Sequence, residues 1–476
     1  MTQPATSFVK VITRLDATAL VVGSMIGSGI FIVSSAILRE VGTPGLLLLV
    51  WAVSGVLTLL GALTYGELAA MFPKAGGQYV YLREGISPLF GYLYGWTLFT
   101  VIQTGTIAAV AVAFARFTGI LVPGLTEEIF LGGVIGKYQV GLSGQRVLAI
   151  LSIVLLTWIN VRGVRTAAVI QTSLTIIKTA ALAGLIVLGI TIGRHAAAIG
   201  ENFGAGFWPA GGLTLALLPV AGAAMVGSLF SMDAWNNVGF ASGELKDPKR
   251  DLPFAMAAGV MIVTVLYLLA NVAYLHVLPA GEVRVAYTGG RPPIGTAALQ
   301  AMFGQAGLTV MAVAIMISTF GCNNGLILAG ARVYYAMARN GLFFRRTGEL
   351  HPEHHTPAFA LVAQAIWTSL LCLSGSYGDL LNYVIFAALL FYMLTALGLF
   401  ALRRRRPDLD RPVTAPGYPW LPALYLVATG LFCVNLLFTK PLYTWPGLII
   451  VALGVPVYFV WKRVGAPALA AESDAA

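Results

Sequence analysis

Apolar residues run along this chain in long unbroken stretches, without the strict alternation of strands. Between Gly85 and Ala115, and again between Pro292 and Ala331, no Asp, Glu, Lys or Arg occurs. About 20 apolar residues in a helix cross the roughly 30 Å hydrocarbon layer of a membrane. Helices placed on such stretches number twelve, near 16–40, 44–71, 88–116, 145–162, 165–193, 214–243, 252–278, 306–338, 357–375, 380–402, 418–437 and 441–461. A membrane β-barrel would instead carry ~10-residue alternating segments. The pattern therefore predicts an all-α integral membrane protein.

Composition agrees and adds an orientation. The chain is 58% hydrophobic and only 10% charged, against roughly 25% charged in an average soluble domain, which argues against soluble enzymology and nucleic-acid binding. The net charge of +10 finds its explanation in where the bases lie. With a cytoplasmic amino terminus, 20 of the 29 Lys and Arg fall inside, eight outside, and Lys178 in mid-membrane. The positive-inside rule then predicts both termini in the cytoplasm and an even number of spans. The run Arg403 to Arg406 reads as a cytoplasmic stop after the tenth helix.

Gly23, Gly27 and Gly29 interrupt the first apolar run, so that segment is expected to be retained rather than cleaved as a leader. No soluble domain is expected; the longest connections, Phe117 to Gly144, Arg194 to Gly212 and Asn340 to Thr356, could hold short helices. Cys322, Cys372 and Cys433 lack metal-ligand spacing and a disulfide pattern. His351, His354 and His355 share one predicted cytoplasmic loop and read as hydrated rather than metal-binding. No metal or cofactor is expected.

A weak internal repeat carries more information. Val22-Gly23-Ser24 in the first helix returns as Val226-Gly227-Ser228 in the sixth. The offset is five spans, an odd number, so the second unit enters the membrane from the opposite side, as an inverted repeat requires. The units would be 1–205, 206–410 and two further helices in 411–476. Both matched helices are flawed at mid-depth. Gly27-Ser28-Gly29 costs roughly 1 kcal/mol of helix propensity per glycine against alanine, although Gly23 and Gly27 also have the spacing of a helix-packing face. Asp233 is a carboxylate in an otherwise uncharged stretch, costly unless it meets water, a partner or free backbone donors.

Two broken helices account for both features, because unwound backbone is tolerated in a membrane only when buried or lining a cavity. A half-helix starting after Gly29 would aim amides and a positive dipole end at the gap, suiting a carboxylate. Half-helices ending near Met25 and near Phe230 and Ser231 would leave carbonyls that suit an ammonium group. An α-amino acid carries both groups.

The segments Gly27-Ser28-Gly29-Ile30-Phe31, Gly66-Glu67-Leu68-Ala69-Ala70-Met71-Phe72-Pro73, Phe230 through Asn236 with Gly243-Glu244-Leu245, and Gly417-Tyr418-Pro419-Trp420 resemble the amino acid, polyamine and organocation transporter superfamily, in its L-amino-acid transporter branch. The likeness spans roughly residues 10 to 460. It implies a LeuT-like fold of five-plus-five inverted repeats with helices 1 and 6 broken, plus helices 11 and 12, working by alternating access on a small amino acid substrate. It also implies roles. Met25, Ile26, Gly27, Ser28 and Gly29 with Phe230, Ser231 and Asp233 would bind substrate. Within that set Ser28 and Gly29 would take the carboxylate, and carbonyls of Met25, Phe230, Ser231 and Asp233 the amine. Phe230 would also be the aromatic gate.

Lys178 would replace the sodium of related carriers, donating to carbonyls near Gly23 and Ser24 and to a group around Asn323, with Cys322 and Asn324 beside it. Transport would then need no sodium, and proton coupling through Lys178 stays as open as simple exchange. Met232 stands where the branch commonly has an aromatic residue and Ala234 where it has glycine, so substrate identity is not transferred. Animal members join a heavy subunit through a cysteine in the loop after helix three; Phe117 to Gly144 has none, so no disulfide-linked partner is expected. The expected function is a plasma-membrane carrier of neutral amino acids, with cationic amino acids or polyamines as the alternative substrates, and a channel or an amino-acid sensor as the competing classes.

Overall fold

The computed structural model describes residues 8–135, 138–288, 290–373 and 377–464. Lys137 and both chain ends beyond this range, Met1 to Ser7 and Gly465 to Ala476, lie outside the described residues. Ten helices among those described are long and apolar enough to cross a membrane. Two further apolar helices, Leu217–Ser231 and Ala358–Cys372, have 15 residues each, short of the length that spans a bilayer unaided.

Local chemistry sets the boundaries. Thr13 caps the first helix, Arg14–Met25, in a box with Asp16: the Asp16 amide donates to Thr13 Oγ1 while the Thr13 amide donates back to the carboxylate. Proline occupies the first turn of Pro44–Met71, Pro88–Thr97 and Pro248–Val277, where its missing amide costs nothing. The third predicted helix is compound: a π-helical turn at Leu98–Ile102 joins Pro88–Thr97 to Gln103–Leu121. The eighth is longer than expected, running from Ile294 to Arg339, with non-helical backbone at Gly304 (φ 61°) dividing it.

One connection departs from the sequence reading. The segment after helix three forms not a short helix but an antiparallel hairpin, Ile129–Ile135 with Tyr138–Ser143, pairing Gly132 with Gly141. Its β-branched and glycine-rich composition favours strands over a helix. Among the described residues this ribbon is the only sheet in a mostly helical fold.

Helix Arg14–Met25 lies at the centre, packed on Val164–Thr191, Pro248–Val277 and Ile294–Arg339. From Ala19 to Phe31 every residue is buried. The central position brings the first helix break against Leu217–Ser231 and Ile294–Arg339.

Candidate functional site

The first helix ends at Met25, and α-geometry does not resume until Val33. Ile26 still bonds back to Val22 O, but its ψ of 88° turns the chain out of the helix. Gly29–Phe31 then forms one 3-10 turn, closed by Ile32 N donating to Gly29 O at 2.9 Å. The sixth helix stops at Ser231. Beyond it come Ala234 at φ 69° and 3-10 turns at Asn237–Gly239 and Ser242–Glu244. A left-handed alanine costs about 1 kcal/mol or more, which is why glycine would suit this position.

The two breaks touch. A Cβ added to Gly29 would lie 2.7 Å from Ser231 Cβ and 3.1 Å from its Cα, so only glycine permits the approach. Tyr267, from Pro248–Val277, bridges them: its hydroxyl lies 2.9 Å from Met25 O and 3.2 Å from Ser231 O, with one proton to donate between them. The main-chain carbonyls at both helix ends therefore converge on one point.

Of the eight expected substrate residues, seven line one buried cavity, namely Met25, Gly27, Ser28, Gly29, Phe230, Ser231 and Asp233. Ser24, Thr106, Val110, Ala234 and Cys322 complete its wall. The space open to the centre of a water-sized sphere is about 20 Å³, room for about one water. Phe230 is buried beside it. Asp233 reaches away toward helix Tyr377–Arg405, where Oδ1 accepts from the Tyr392 hydroxyl at 2.5 Å. Tyr392 also lies 3.2 Å from Asn236 Oδ1, Asn236 donates to Gln78 Oε1 at 2.7 Å, and Gln78 to Thr395 at 3.1 Å. A polar chain thus ties the second break to its neighbours.

Ile26 belongs elsewhere. Its carbonyl accepts from Lys178 Nζ at 2.8 Å and from Ser318 Oγ at 3.1 Å. Lys178, buried, also donates to Gly23 O and, at 3.3 Å, to Ser318 O. The expected partners Ser24 and Asn323 are corrected to Ile26 and Ser318. Ser24 O instead receives Cys322 Sγ at 3.0 Å. Asn324 turns toward helices four and five, donating to Ala167 O and Gln171 Oε1 and accepting from Asn160 Nδ2. The amide oxygen of Asn323 meets no hydrogen-bond donor among the described residues. The reason is helical phase: Ser318 and Cys322 are four residues apart and share the face toward helix one, and Asn323 lies about 100° round.

Sequence reasoning missed Tyr267, Ser318, Thr106, Val110 and Tyr392. Ser318 was within reach through its i, i+4 spacing to Cys322. The others come from helices whose rotation no local pattern reveals.

Comparison with known proteins gives a consistent set of relatives. Residues 12–460 match the family model described as amino acid permease. The chain is 33% identical over 461 residues to the large neutral amino acids transporter small subunit 2 of Mus musculus, covering 95% of this chain and 81% of that one. It is 32% identical over 463 residues to the serine/threonine exchanger SteT of Bacillus subtilis (strain 168), covering 95% and 97%. The Asc-type amino acid transporter 1 of Mus musculus matches at 32% over 457 residues, 95% and 81%.

Proposed function

Because this chain belongs to the amino acid permease family, a family of membrane transporters rather than enzymes, we propose that it exchanges small neutral L-amino acids across a plasma membrane without sodium. One observation carries the reading: two interrupted helices present their carbonyl ends, and the amides of one 3-10 turn, to a single buried cavity. Ser28 and Gly29 hold the substrate carboxylate; Met25, Phe230, Ser231 and Asp233 hold the amine through main-chain oxygens. Each carbonyl has two lone pairs, so Ser231 can serve the ammonium and Tyr267 together, while Met25 O, which accepts from both Gly27 N and Tyr267, exchanges one of those donors for the ammonium. The side-chain wall of Gly27, Thr106, Val110 and Cys322 is close and weakly polar, which favours alanine, serine, threonine and cysteine over larger residues. The serine/threonine exchange for which the Bacillus subtilis relative is named points the same way.

The remaining architecture follows this reading. Twelve spans, counting the two 15-residue apolar helices, form units 1–205 and 206–410 as five-plus-five inverted repeats, with 411–476 added. The excess of bases at one face sets both termini in the cytoplasm. Lys178 takes the place of a bound cation between helices one and eight, so uptake needs no sodium. Proton-linked transport through Lys178 is the other form of coupling it permits. All three cysteines are buried, which supports a carrier with no disulfide-linked heavy subunit.

A second reading has one observation in its favour: Asp233 is among the residues that line the cavity, and a cationic amino acid or polyamine would suit its carboxylate if that side chain turned from Tyr392. Uptake of labelled alanine into proteoliposomes, in sodium-free choline buffer and with unlabelled competitors, distinguishes the two. Strong competition by alanine, serine and threonine, weaker by leucine and negligible by arginine, is expected. Inhibition by arginine alone overturns the neutral reading. Saturable counterflow identifies a carrier; a large single-channel conductance identifies a channel, and binding without flux a sensor.

A further inference from the structure

After the eighth predicted span, Ile294–Arg339, the chain makes a 3-10 turn at Arg345–Gly348. The two residues just before the turn meet the end of the last helix, Pro441–Val464. Phe344 packs on Trp461 with ring centroids 5.3 Å apart, and Phe343 lies 6.5 Å from the same indole. Phe344 is 55% exposed, so part of this aromatic shelf faces outward. Arg345 and Arg346 follow Phe344 directly, and Lys462 and Arg463 follow Trp461 directly; all four are exposed. No ion pair engages any of the four among the described residues. Glu349, the nearest acid along the chain, is likewise outside those pairs.

The structure assigns this face as a binding site for the headgroup of an anionic glycerophospholipid of the inner leaflet. The argument is one of charge and place. Two pairs of uncompensated bases on separate elements are joined through Trp461, an indole of the kind that lies at the headgroup level, and the phenyl rings packed on it. Above them on the last helix, Phe459 and Val460 are about half exposed, giving acyl chains an apolar wall continuous with the basic end. Bases gathered between helices at the cytoplasmic surface suit lipid phosphates. With two pairs on two elements, a headgroup bearing two separate phosphodiesters, as in cardiolipin, is engaged by both, and a headgroup with a single phosphate by one. The assignment rests on the cytoplasmic orientation proposed above and not on the substrate.

The test is lipid binding by the purified full chain in detergent, read by native mass spectrometry during titration with cardiolipin, phosphatidylglycerol, phosphatidylcholine or inorganic phosphate. Cardiolipin is expected to bind most tightly and phosphatidylcholine least. Each surface base is worth about fivefold in binding. Arg345→Gln with Arg346→Gln, and separately Lys462→Gln with Arg463→Gln, should each weaken cardiolipin about 25-fold. Lys249→Gln with Arg250→Gln, an exposed basic pair without the shelf, should change it less than twofold. Equal weakening by all three pairs, or displacement of cardiolipin by phosphate at equal concentration, overturns the assignment. Alanine uptake in phosphatidylcholine vesicles, measured alongside, reports independently on the transport reading.

Discussion

At the scale of single residues, the cavity turns on Phe230 and Lys178. Phe230 is the large apolar side chain at the end of the sixth helix, buried against a cavity with room for about one water. A substrate can enter only if this wall moves, and a side chain that moves and returns is a gate. Phe230→Ala should lower the alanine uptake rate at least tenfold while leaving the thermal midpoint within a few degrees, and Phe230→Trp should retain part of the rate. Wild-type rates in folded Phe230→Ala would reduce the residue to a wall. Lys178 is different in kind, because its ammonium satisfies carbonyls of Gly23, Ile26 and Ser318 at once. Lys178→Ala leaves those oxygens in a buried gap, at about 1–3 kcal/mol for each acceptor without a donor. Uptake should fall steeply in Lys178→Ala and stay independent of sodium in the wild type. An absolute sodium requirement in the wild type would refute the replacement, and unaltered kinetics in Lys178→Ala would make the lysine mere scaffold.

At the scale of elements, the two breaks are one device. Gly29 lets the 3-10 turn of the first helix rest on Ser231 of the sixth, and Tyr267 ties Met25 to Ser231. Gly29→Ala would drive a methyl into Ser231, pushing apart backbone that must converge; overpacking of this kind typically costs 1–3 kcal/mol. The apparent affinity for alanine should weaken at least tenfold in Gly29→Ala. The paired variant Gly29→Ala with Ser231→Gly should recover part of it, and a failure to recover would deny that the contact itself matters.

This device was largely legible in the sequence. The glycines around Ser28 and the lone Asp233 mark both breaks, and the helix ends at Met25 and Ser231 stand where carbonyls were expected. What could not be read is rotation. Apolar spans are apolar all round, so no moment tells which face of helix three carries Thr106 and Val110 inward, or that Tyr267 reaches both breaks. The same uncertainty of phase gave Asn323 the place that Ser318 holds. The outer hairpin of Ile129–Ile135 with Tyr138–Ser143 was missed because that connection reads as room for a short helix, whereas its glycines are paired strand positions.

At the scale of the whole molecule, the base-rich face is closed by contacts between distant parts of the chain. Arg403 and Arg411 meet the buried Glu67, the first at 2.5 Å and the second at 3.4 Å. The segment before the first helix pairs with the loop after the sixth, Ile12 bridging to Leu245, and Phe8 packs edge-on against Tyr335 at 4.9 Å. Beneath that strap lies a wholly buried ion pair, Arg332 with Glu244 at 2.9 Å.

Burial lifts the Glu244 carboxyl above its ordinary value of 4.5, and Arg332 pulls it back down. Arg332→Ala removes only the opposing pull, so the carboxyl must either stay charged without a partner or take up a proton. Breaking a buried pair in this way costs about 3–5 kcal/mol. The sign of its pH dependence follows from linkage. A carboxyl whose folded value is raised contributes fully below the ordinary value and loses that contribution as pH rises through the folded one. The thermal midpoint of Arg332→Ala should therefore lie furthest below wild type at neutral pH, and the gap should narrow as pH falls toward 4.5. Arg332→Ala combined with Glu244→Gln should lose that dependence, because no carboxyl remains to titrate. A gap between Arg332→Ala and wild type that is constant from pH 7 to pH 5 would mean that packing around the guanidinium, not the charge on Glu244, is what the pair supplies.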